Sequence, residues 1–459
     1  MNKQVPAEIF KAYDIRGIVG KTLDKDIAYQ IGRAFGSEAI EAGMKVVVIG
    51  RDGRISGPDM AEALTGGLMD SGCRVMDIGM VPTPVLYFAT HHLGTQTGIS
   101  ITGSHNPTDY NGFKMVIAGE TLAQERIQLL RQRIENQDFT SGKGMLLQAD
   151  VRDAYLDRIL GDIKLARPLS IAVDCGNGVA GEWAPILFEK LGCDITRLYC
   201  DVDGTFPNHH PDPSQARNLE DVISIVKQAN LDLGLAFDGD GDRVGVVTRN
   251  GDIIWPDRIM QLFAQDVLSR NPGGEIIYDV KCSRKLHEAI EKSGGKATMW
   301  KTGHSLIKAK LKETGALLAG EMSGHIFFKE RWYGFDDAMY AAARLLEILS
   351  QQDRPPAEVF AALPDTVNTP ELQIAFEEGE HHKAIEELVA AADFSDARVS
   401  TIDGLRVDFE DGFGLVRASN TTPVWVLRFE ADNDAALARI QERFSRLIKQ
   451  IRPEARLPY

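Results

Sequence analysis

The stretch Leu231-Asp-Leu-Gly-Leu-Ala-Phe237, running straight into Asp238-Gly239-Asp240-Gly241-Asp242-Arg243, decides the fold of this chain. A short apolar run implies a buried strand, and carboxylates at alternate positions imply a tight polar loop at its carboxyl end. Two other segments end the same way. Gly98-Ile-Ser-Ile-Thr102 runs into Gly103-Ser104, and Ala316-Leu-Leu-Ala-Gly320 runs into Glu321-Met322-Ser323-Gly324-His325. Each is preceded by an opening strand, at Lys45–Gly50, Ser170–Cys175 and Glu275–Val280, that leads into a Gly-containing or basic turn. A helix-period stretch and a second strand follow, at Cys73–Gly79, Asp194–Cys200 and Ala297–Lys301. Strands alternating with helices imply βαβ units, right-handed crossovers and a mostly parallel sheet. Ligands gather beyond the carboxyl ends of such strands, so three repeats would set three polar loops around one cleft.

With 459 residues the chain exceeds a single core, and length alone suggests roughly three or four domains. Polar or Pro-rich linkers fall near 150, near 253 and from Arg354-Pro355-Pro356 to Pro370. Beyond the last linker the pattern changes to period-2 runs (Arg398–Ile402, Leu405–Phe409, Trp425–Glu430) and one long amphipathic helix, Asp434–Ile451. The fold expectation is therefore three repeated α/β domains, 1–150, 151–253 and 254–366, with mixed or parallel sheets. A C-terminal α+β domain, 367–459, would carry an antiparallel sheet.

Composition narrows the function. Hydrophobic residues make up 44% and charged residues 25%, ordinary values for a globular protein. Met1–Phe10 has no apolar segment behind a basic head, and no run approaches a membrane span, so neither signal peptide nor membrane anchor is expected. Five cysteines (Cys73, Cys175, Cys193, Cys200, Cys282), scattered and never in C-x-x-C pairs, fit free thiols in a reducing cytoplasm. A net charge of −15 argues against nucleic acid. An anionic small ligand would instead need a local basic cluster, for which Arg16, Lys114, Arg243, Lys281 and Arg417 are candidates.

Two motifs carry chemistry. Thr102-Gly103-Ser104-His105-Asn106-Pro107 offers a hydroxyl in a tight loop, with Lys114 following in Asn111-Gly112-Phe113-Lys114. Asp238, Asp240 and Asp242 offer oxygen ligands to a hard cation. A serine nucleophile beside such a site is what phosphoryl transfer needs. A third loop, Arg417-Ala418-Ser419-Asn420-Thr421-Thr422-Pro423, is dense in donors and suits a phosphate. Several rival motifs fail. A calcium loop wants Gly and Glu where Arg243 and Arg249 stand. The Gly20-Lys21-Thr22 run lacks the P-loop glycine, having Ile15 instead. No nucleophile elbow surrounds Ser104. Gly176-Asn-Gly178-Val-Ala-Gly181 does match a dinucleotide fingerprint, with Asp201 after the next strand, and stays open as an alternative. His91, His92, His209, His210, His287, His381 and His382 have no zinc spacing on a helix and read as surface or hydrogen-bonded residues.

Taken together, the loops at 102–107, 238–243, 320–325 and 417–423, with Tyr13-Asp-Ile-Arg16-Gly, resemble the α-D-phosphohexomutase family over essentially the whole chain, nearest to its bacterial bifunctional phosphomannomutase/phosphoglucomutase branch. The resemblance implies an isomerase interconverting hexose 1- and 6-phosphates in carbohydrate metabolism and polysaccharide biosynthesis. Ser104 would be phosphorylated and would bind one Mg²⁺ per chain together with Asp238, Asp240 and Asp242. A hexose 1,6-bisphosphate would form, turn end for end and return its other phosphate to Ser104. Arg16, His105, Lys114, Arg243 and His325 would surround the transferring group, with Lys114 or His325 as the acid or base. Glu321 and Ser323, with His325, would read sugar hydroxyls; if these are O3 and O4, glucose and mannose look alike. Arg417, Ser419, Asn420, Thr421 and Thr422 would hold the other phosphate, and Tyr13, Lys281, Gly303 and His304 would add contacts. A cytoplasmic monomer is expected. The alternatives are an NAD-dependent oxidoreductase using the glycine run, which would not depend on Ser104, and a sugar-phosphate sensor, which would tolerate loss of Ser104.

Overall fold

Three of the four sheets share one wiring diagram in the computed structural model, which describes residues 5–377 and 379–459. The first four positions of the stretch tested for a leader lie outside the described residues. In the first unit, β1 (Ile15–Ile18), β2 (Val46–Arg51), β3 (Arg74–Met80), β4 (Gly98–Ile101), β5 (Tyr110–Ile117), β6 (Glu120–Thr121) and β7 (Met145–Gln148) form a sheet. Its order is β1-β5-β4-β2-β3-β7, with β6 on β5. In the second, β8 (Ser170–Asp174), β9 (Asp194–Leu198), β10 (Leu233–Phe237), β11 (Val244–Thr248) and β12 (Ile253–Ile254) take the order β12-β11-β10-β8-β9. In the third, β13 (Glu275–Asp279), β14 (Lys296–Trp300), β15 (Leu318–Gly320) and β16 (Ile326–Phe328) take the order β14-β13-β15-β16.

The common element is β3-β2-β4-β5, repeated as β9-β8-β10-β11 and β14-β13-β15-β16. Its first three strands in sequence are parallel and the fourth is antiparallel. The sheets are therefore mixed, because each third strand returns through a hairpin rather than a helical crossover. Those three hairpin connections are the three polar loops. The strands entering them, β4, β10 and β15, are buried along their whole length, which is why they read as unbroken apolar runs.

The fourth sheet is antiparallel. It contains β17 (Val367–Asn368), β18 (Leu372–Ala375), β19 (Arg398–Ser400), β20 (Leu405–Phe409), β21 (Gly412–Ala418) and β22 (Val424–Ala431), in the order β17-β22-β21-β20-β19 with β18 on β22. Helix Asp434–Ile451 lies against it through Ala436, Ile440, Phe444, Leu447 and Ile448, one stripe at helical spacing, and Asn433 caps its start by accepting Ala436 N–H at 3.0 Å. Three features depart from the sequence expectation. β21 is buried on both faces and has no alternation to show. Helix Glu380–Ala391 packs on the same sheet. The expected linker carries a short helix, Pro356–Ala361, and ends in β17, which pairs with β22.

The second and third units share one apolar core that reaches the first through Val48, Val85 and Phe88. Helix Ala338–Ser350 lies within it, buried at every position, and its Arg344 is matched by Asp266 and Glu330 at 2.9 and 2.8 Å. The first three units are thereby set against one another firmly enough to bring their loops together. Among the described residues no helix is long and apolar enough to cross a membrane, and the five cysteines are free.

Candidate active site

The Ser104 loop is built from buried charge. Asp52 Oδ2, just past β2, accepts from Thr102 Oγ1 at 2.8 Å and from Gly103 N–H at 3.1 Å. Thr102 Oγ1 in turn accepts Ser104 N–H at 2.7 Å. The Arg54 guanidinium gathers the loop carbonyls of Ser104 (2.8 Å), Asn106 (2.6 Å) and Tyr110 (2.9 Å). Gly103 has no side chain because a Cβ there would lie 2.4 Å from that guanidinium. The result holds Ser104 at φ +50°, a left-handed conformation that a serine adopts only when its surroundings over-determine it. Asp52 and Arg54 carried no motif signal; the only hint is a charged pair directly after an apolar strand.

The hydroxyl so presented is 1% exposed and meets two partners. Ser104 Oγ lies 3.1 Å from Asp238 Oδ2 and 3.1 Å from His105 Nδ1. The two loops touch through backbone as well, since a Cβ on Gly239 would stand 2.4 Å from the Ser104 carbonyl oxygen. Burial, helped by the cations Arg243, Arg16 and Lys114, holds His105 well below the usual histidine value, so its ring is neutral.

Asp238, Asp240 and Asp242 are fully buried, with one carboxylate oxygen of each inside a 4.8 Å cluster. Asp238 Oδ1 accepts the N–H groups of Asp242 and Arg243 at 3.0 and 3.1 Å, which folds the loop back on itself. Lys114 Nζ reaches Asp240 Oδ2 at 2.7 Å and also bonds Asp242 Oδ2, and Thr83 Oγ1 donates to Asp240 Oδ2 at 2.6 Å. Burial and then the neighbouring carboxylates push Asp238 well above the ordinary range. Burial also works to raise Asp240, but the Lys114 ammonium reverses it and leaves Asp240 low. For Lys114 the order is the same: burial opposes its charge, and Asp240 and Asp242 outweigh burial, so it stays an ammonium. Asp240 Oδ1 and Asp242 Oδ1 are buried without a protein partner. Three clustered carboxylates, two of them with an orphaned oxygen, fit a hard divalent cation.

The third loop closes the other side. Arg243 and His325 form a backbone bridge between second and third units, and Arg243 Nε donates to His325 Nε2 at 3.0 Å. His325 Nδ1 lies 3.1 Å from Asp336, and the His304 ring stacks on His325 at 5.5 Å. Lys308, 2.9 Å from Asp336, balances that carboxylate and holds it well below the usual range against its burial. Burial and Lys308 keep His304 neutral. Glu321, 1% exposed, accepts Gly303 N–H, and burial raises its carboxyl. Ser323 follows it, half-buried in the same loop.

The fourth loop joins this group through Tyr13. Tyr13 Oη donates to Thr302 C=O at 2.7 Å and accepts from Asn420 Nδ2, so residues of the first, third and fourth units meet there. Asp403 Oδ2 receives Arg417 Nε at 3.0 Å and Thr302 N–H at 2.9 Å. Arg417 is the penultimate residue of β21 rather than the opening of a loop, and its pairing with Val426 fixes its position. Ser419 Oγ is the hub of the turn, accepting Thr421 and Thr422 N–H, both at 3.3 Å, with Thr422 Oγ1 at 3.1 Å. Lys281 Nζ is held by Glu371 Oε1 at 2.6 Å. Arg16 donates to Gly103 C=O at 3.3 Å and is paired with Asp14. Bonds of this network tie the four loops together, and among the described residues Ser323 sits in its loop without a hydrogen bond to it. Thr83, Lys308, Asp336, Glu371 and Asp403 belong to it too, and sequence reasoning had missed them.

The dinucleotide fingerprint has another use. A Cβ on Gly178 would lie 3.0 Å from Gly239 and one on Gly181 2.0 Å from the Cys200 carbonyl oxygen. The run is filled by the protein's own backbone where a pyrophosphate would have to enter.

Four family models match the chain in order. They are phosphoglucomutase/phosphomannomutase alpha/beta/alpha domain I at residues 7–141, domain II at 153–251, domain III at 255–367, and the C-terminal domain at 371–447. A phosphomannomutase/phosphoglucomutase of Pseudomonas putida is 57% identical over 455 residues, 99% of this chain and 98% of that one. A phosphoglucomutase of Neisseria gonorrhoeae is 57% identical over 449 residues, 97% of each. The crystal structure of a phosphoglucomutase/phosphomannomutase family protein from Burkholderia thailandensis superposes with a TM-score of 0.94, at 57% identity and 100% coverage of both chains. With four matching domains in one order and this similarity over the full length, the chain belongs to the phosphoglucomutase/phosphomannomutase family of α-D-phosphohexomutases.

Proposed function

We propose that the protein is a phosphomannomutase/phosphoglucomutase, an isomerase that moves a phosphoryl group reversibly between C1 and C6 of mannose and glucose phosphates. The observation that carries this reading is the buried Ser104 hydroxyl, 3.1 Å from Asp238 within a cage of three aspartates. Its relatives' names include both sugars, which supports dual specificity.

Ser104, phosphorylated at rest, gives its phosphoryl group to the free hydroxyl of a hexose 1- or 6-phosphate. The Oγ–P bond breaks, a sugar O–P bond forms, the proton of the sugar hydroxyl ends on Ser104 Oγ, and a hexose 1,6-bisphosphate results. The bisphosphate turns end for end, and Ser104 takes back the other phosphoryl group. Asp238, Asp240, Asp242 and the Ser104 phosphate would hold one Mg²⁺, which neutralises charge on the phosphoryl oxygens. Arg16, Arg243 and His325 line the transferring group. Lys114, held as an ammonium by Asp240 and Asp242, suits a fixed cation. His105, neutral and 3.1 Å from Oγ, suits the proton acceptor when Ser104 is rephosphorylated.

Glu321 and Ser323 read sugar hydroxyls, with Tyr13, Lys281, Gly303 and His304 beside them. Arg417, Ser419, Asn420, Thr421 and Thr422 receive the non-reacting phosphate in either orientation. The working units are 1–150, 151–253, 254–366 and 367–459. Since one chain supplies every loop, a monomer suffices, and the free thiols suit the cytoplasm.

The test is a peptide mass map after incubation with Mg²⁺ and glucose 1,6-bisphosphate. One phosphoryl group on the peptide containing Ser104, and none elsewhere, supports the covalent carrier. Its absence overturns the mechanism.

A further inference from the structure

Cys175 and Cys200 stand just past the carboxyl ends of β8 and β9, parallel neighbours whose register sets Asp174 opposite Leu198. Backbone bonds extend the ladder beyond the strands: Cys175 N–H donates to Leu198 C=O at 3.1 Å and Asn177 N–H to Tyr199 C=O at 2.8 Å. Between these rungs the two Sγ atoms lie 3.8 Å apart. Disulfide length requires a further approach of about 1.8 Å. Among the described residues none of Cys73, Cys193 and Cys282 bonds another thiol, and all three are buried.

The two sulfurs differ. Cys175 is buried, whereas Cys200 is half-buried. Cys200 Sγ is placed as donor to Cys175 Sγ; the bond between the two thiols lowers Cys200 from the ordinary value and, with burial, pushes Cys175 well above it. Burial pushes Cys73 and Cys193 up to about 11 and about 12. Cys200 is therefore the more accessible thiol of the pair and the one whose deprotonation is favoured, and it has a resolving partner in place.

We propose that Cys175 and Cys200 are a peroxide-sensitive thiol pair that closes reversibly into a disulfide and slows the enzyme. The Cys200 thiolate attacks one oxygen of hydrogen peroxide, the O–O bond breaks, and hydroxide leaves to be protonated to water. The Cys200 sulfenic acid is then attacked by the Cys175 sulfur; an S–S bond forms, the S–O bond breaks, and the hydroxide leaves as water with the Cys175 proton. Two thiols lose two electrons and one peroxide becomes two waters. The pair connects to the metal loop through the turn Gly176–Gly181. Gly181 is pressed on the Cys200 carbonyl, and Val179 N–H donates to Gly239 C=O at 3.2 Å. Drawing the sulfurs together shifts the backbone that buttresses Gly239, and Gly239 touches Ser104.

The activity half of this proposal rests on the mutase reading above, so the test has two readouts. The reduced full-length protein is treated with hydrogen peroxide, alkylated and mapped as peptides without reduction, and mutase turnover is followed in parallel. The expected result is a linked Cys175–Cys200 peptide pair, lighter by two hydrogens, formed before any other cysteine reacts. Turnover falls several-fold, and dithiothreitol reverses both changes. Cys200→Ser keeps its activity in peroxide, and Cys175→Ser accumulates a dimedone-trappable sulfenic acid on Cys200 without a link. Absence of the link, or its appearance only after Cys73, Cys193 and Cys282 have reacted, overturns the proposal. A link with unchanged turnover overturns its coupling to the metal loop. A protein that forms the link but shows no mutase activity beforehand refutes the mutase reading and leaves the thiol chemistry intact.

Discussion

The Ser104–metal-loop region and the 417–423 loop are both proposed to handle phosphate, yet they are built from opposite materials. The surroundings of Ser104 are mostly buried and charged: Ser104 is 1% exposed, the three aspartates are fully buried, and Lys114, Arg54 and Asp52 are locked by ion pairs. In the 417–423 loop only Arg417 is charged, Ser419 organises neutral donors, and Thr421 and Thr422 are exposed. Bond-making gains from charges that do not reorganise. A receptor that must release one phosphate and accept another is better served by many modest donors open to water. The difference separates chemistry from capture.

Four variants can break or sharpen that division. Ser104→Ala should cut kcat by about 10⁴-fold or more, the scale of losing a nucleophile that works within a unit. Its circular dichroism and melting temperature should match wild type, because the loop is held by Asp52 and Arg54 rather than by Oγ. Near-normal turnover would end the covalent mechanism. Asp240→Asn should lower kcat by about 10²-fold, with partial recovery at raised Mg²⁺, as removal of one ligand weakens the cation. A kcat insensitive to chelator in the wild type would remove the metal from the argument.

Arg417→Ala should act mainly on KM, raising it about ten- to a hundredfold for a loss of about 1.5–3 kcal/mol in charge-assisted bonding. An unchanged KM with a collapsed kcat would put Arg417 on the chemical side and erase the contrast. Thr421→Ala should be mildest, about two- to tenfold in KM for one neutral bond of about 0.5–1.5 kcal/mol. A larger effect than that of Arg417→Ala would mean that the exposed hydroxyls, not the guanidinium, anchor the phosphate.

Much of this was legible in the residues. The three polar loops stand out because each follows an unbroken apolar strand, and helix Asp434–Ile451 shows its full stripe. The supports were not legible. Arg54 acts on carbonyls 50 or more positions away, Thr83 on Asp240, and Asp336 on His325 and Lys308. Each is a common residue on an ordinary turn or helix start, and only tertiary contact gives it a role. β21 hid for a different reason: buried on both faces, it lacks the alternation that betrays a strand. The glycines at 176–181 misled because close packing of a turn and cradling of a pyrophosphate place the same demand on the backbone.

One contact also bears on how the molecule comes into being. Lys114 lies in the first unit, but the carboxylates that neutralise it, Asp240 and Asp242, lie 126 and 128 residues further along the chain. On the ribosome the nucleophile's scaffold therefore emerges long before its counter-charge. A nascent first unit cannot bury that ammonium unpaired, so this corner stays hydrated until the second unit is synthesised and docks. The charge balance of this corner therefore depends on the second unit following the first.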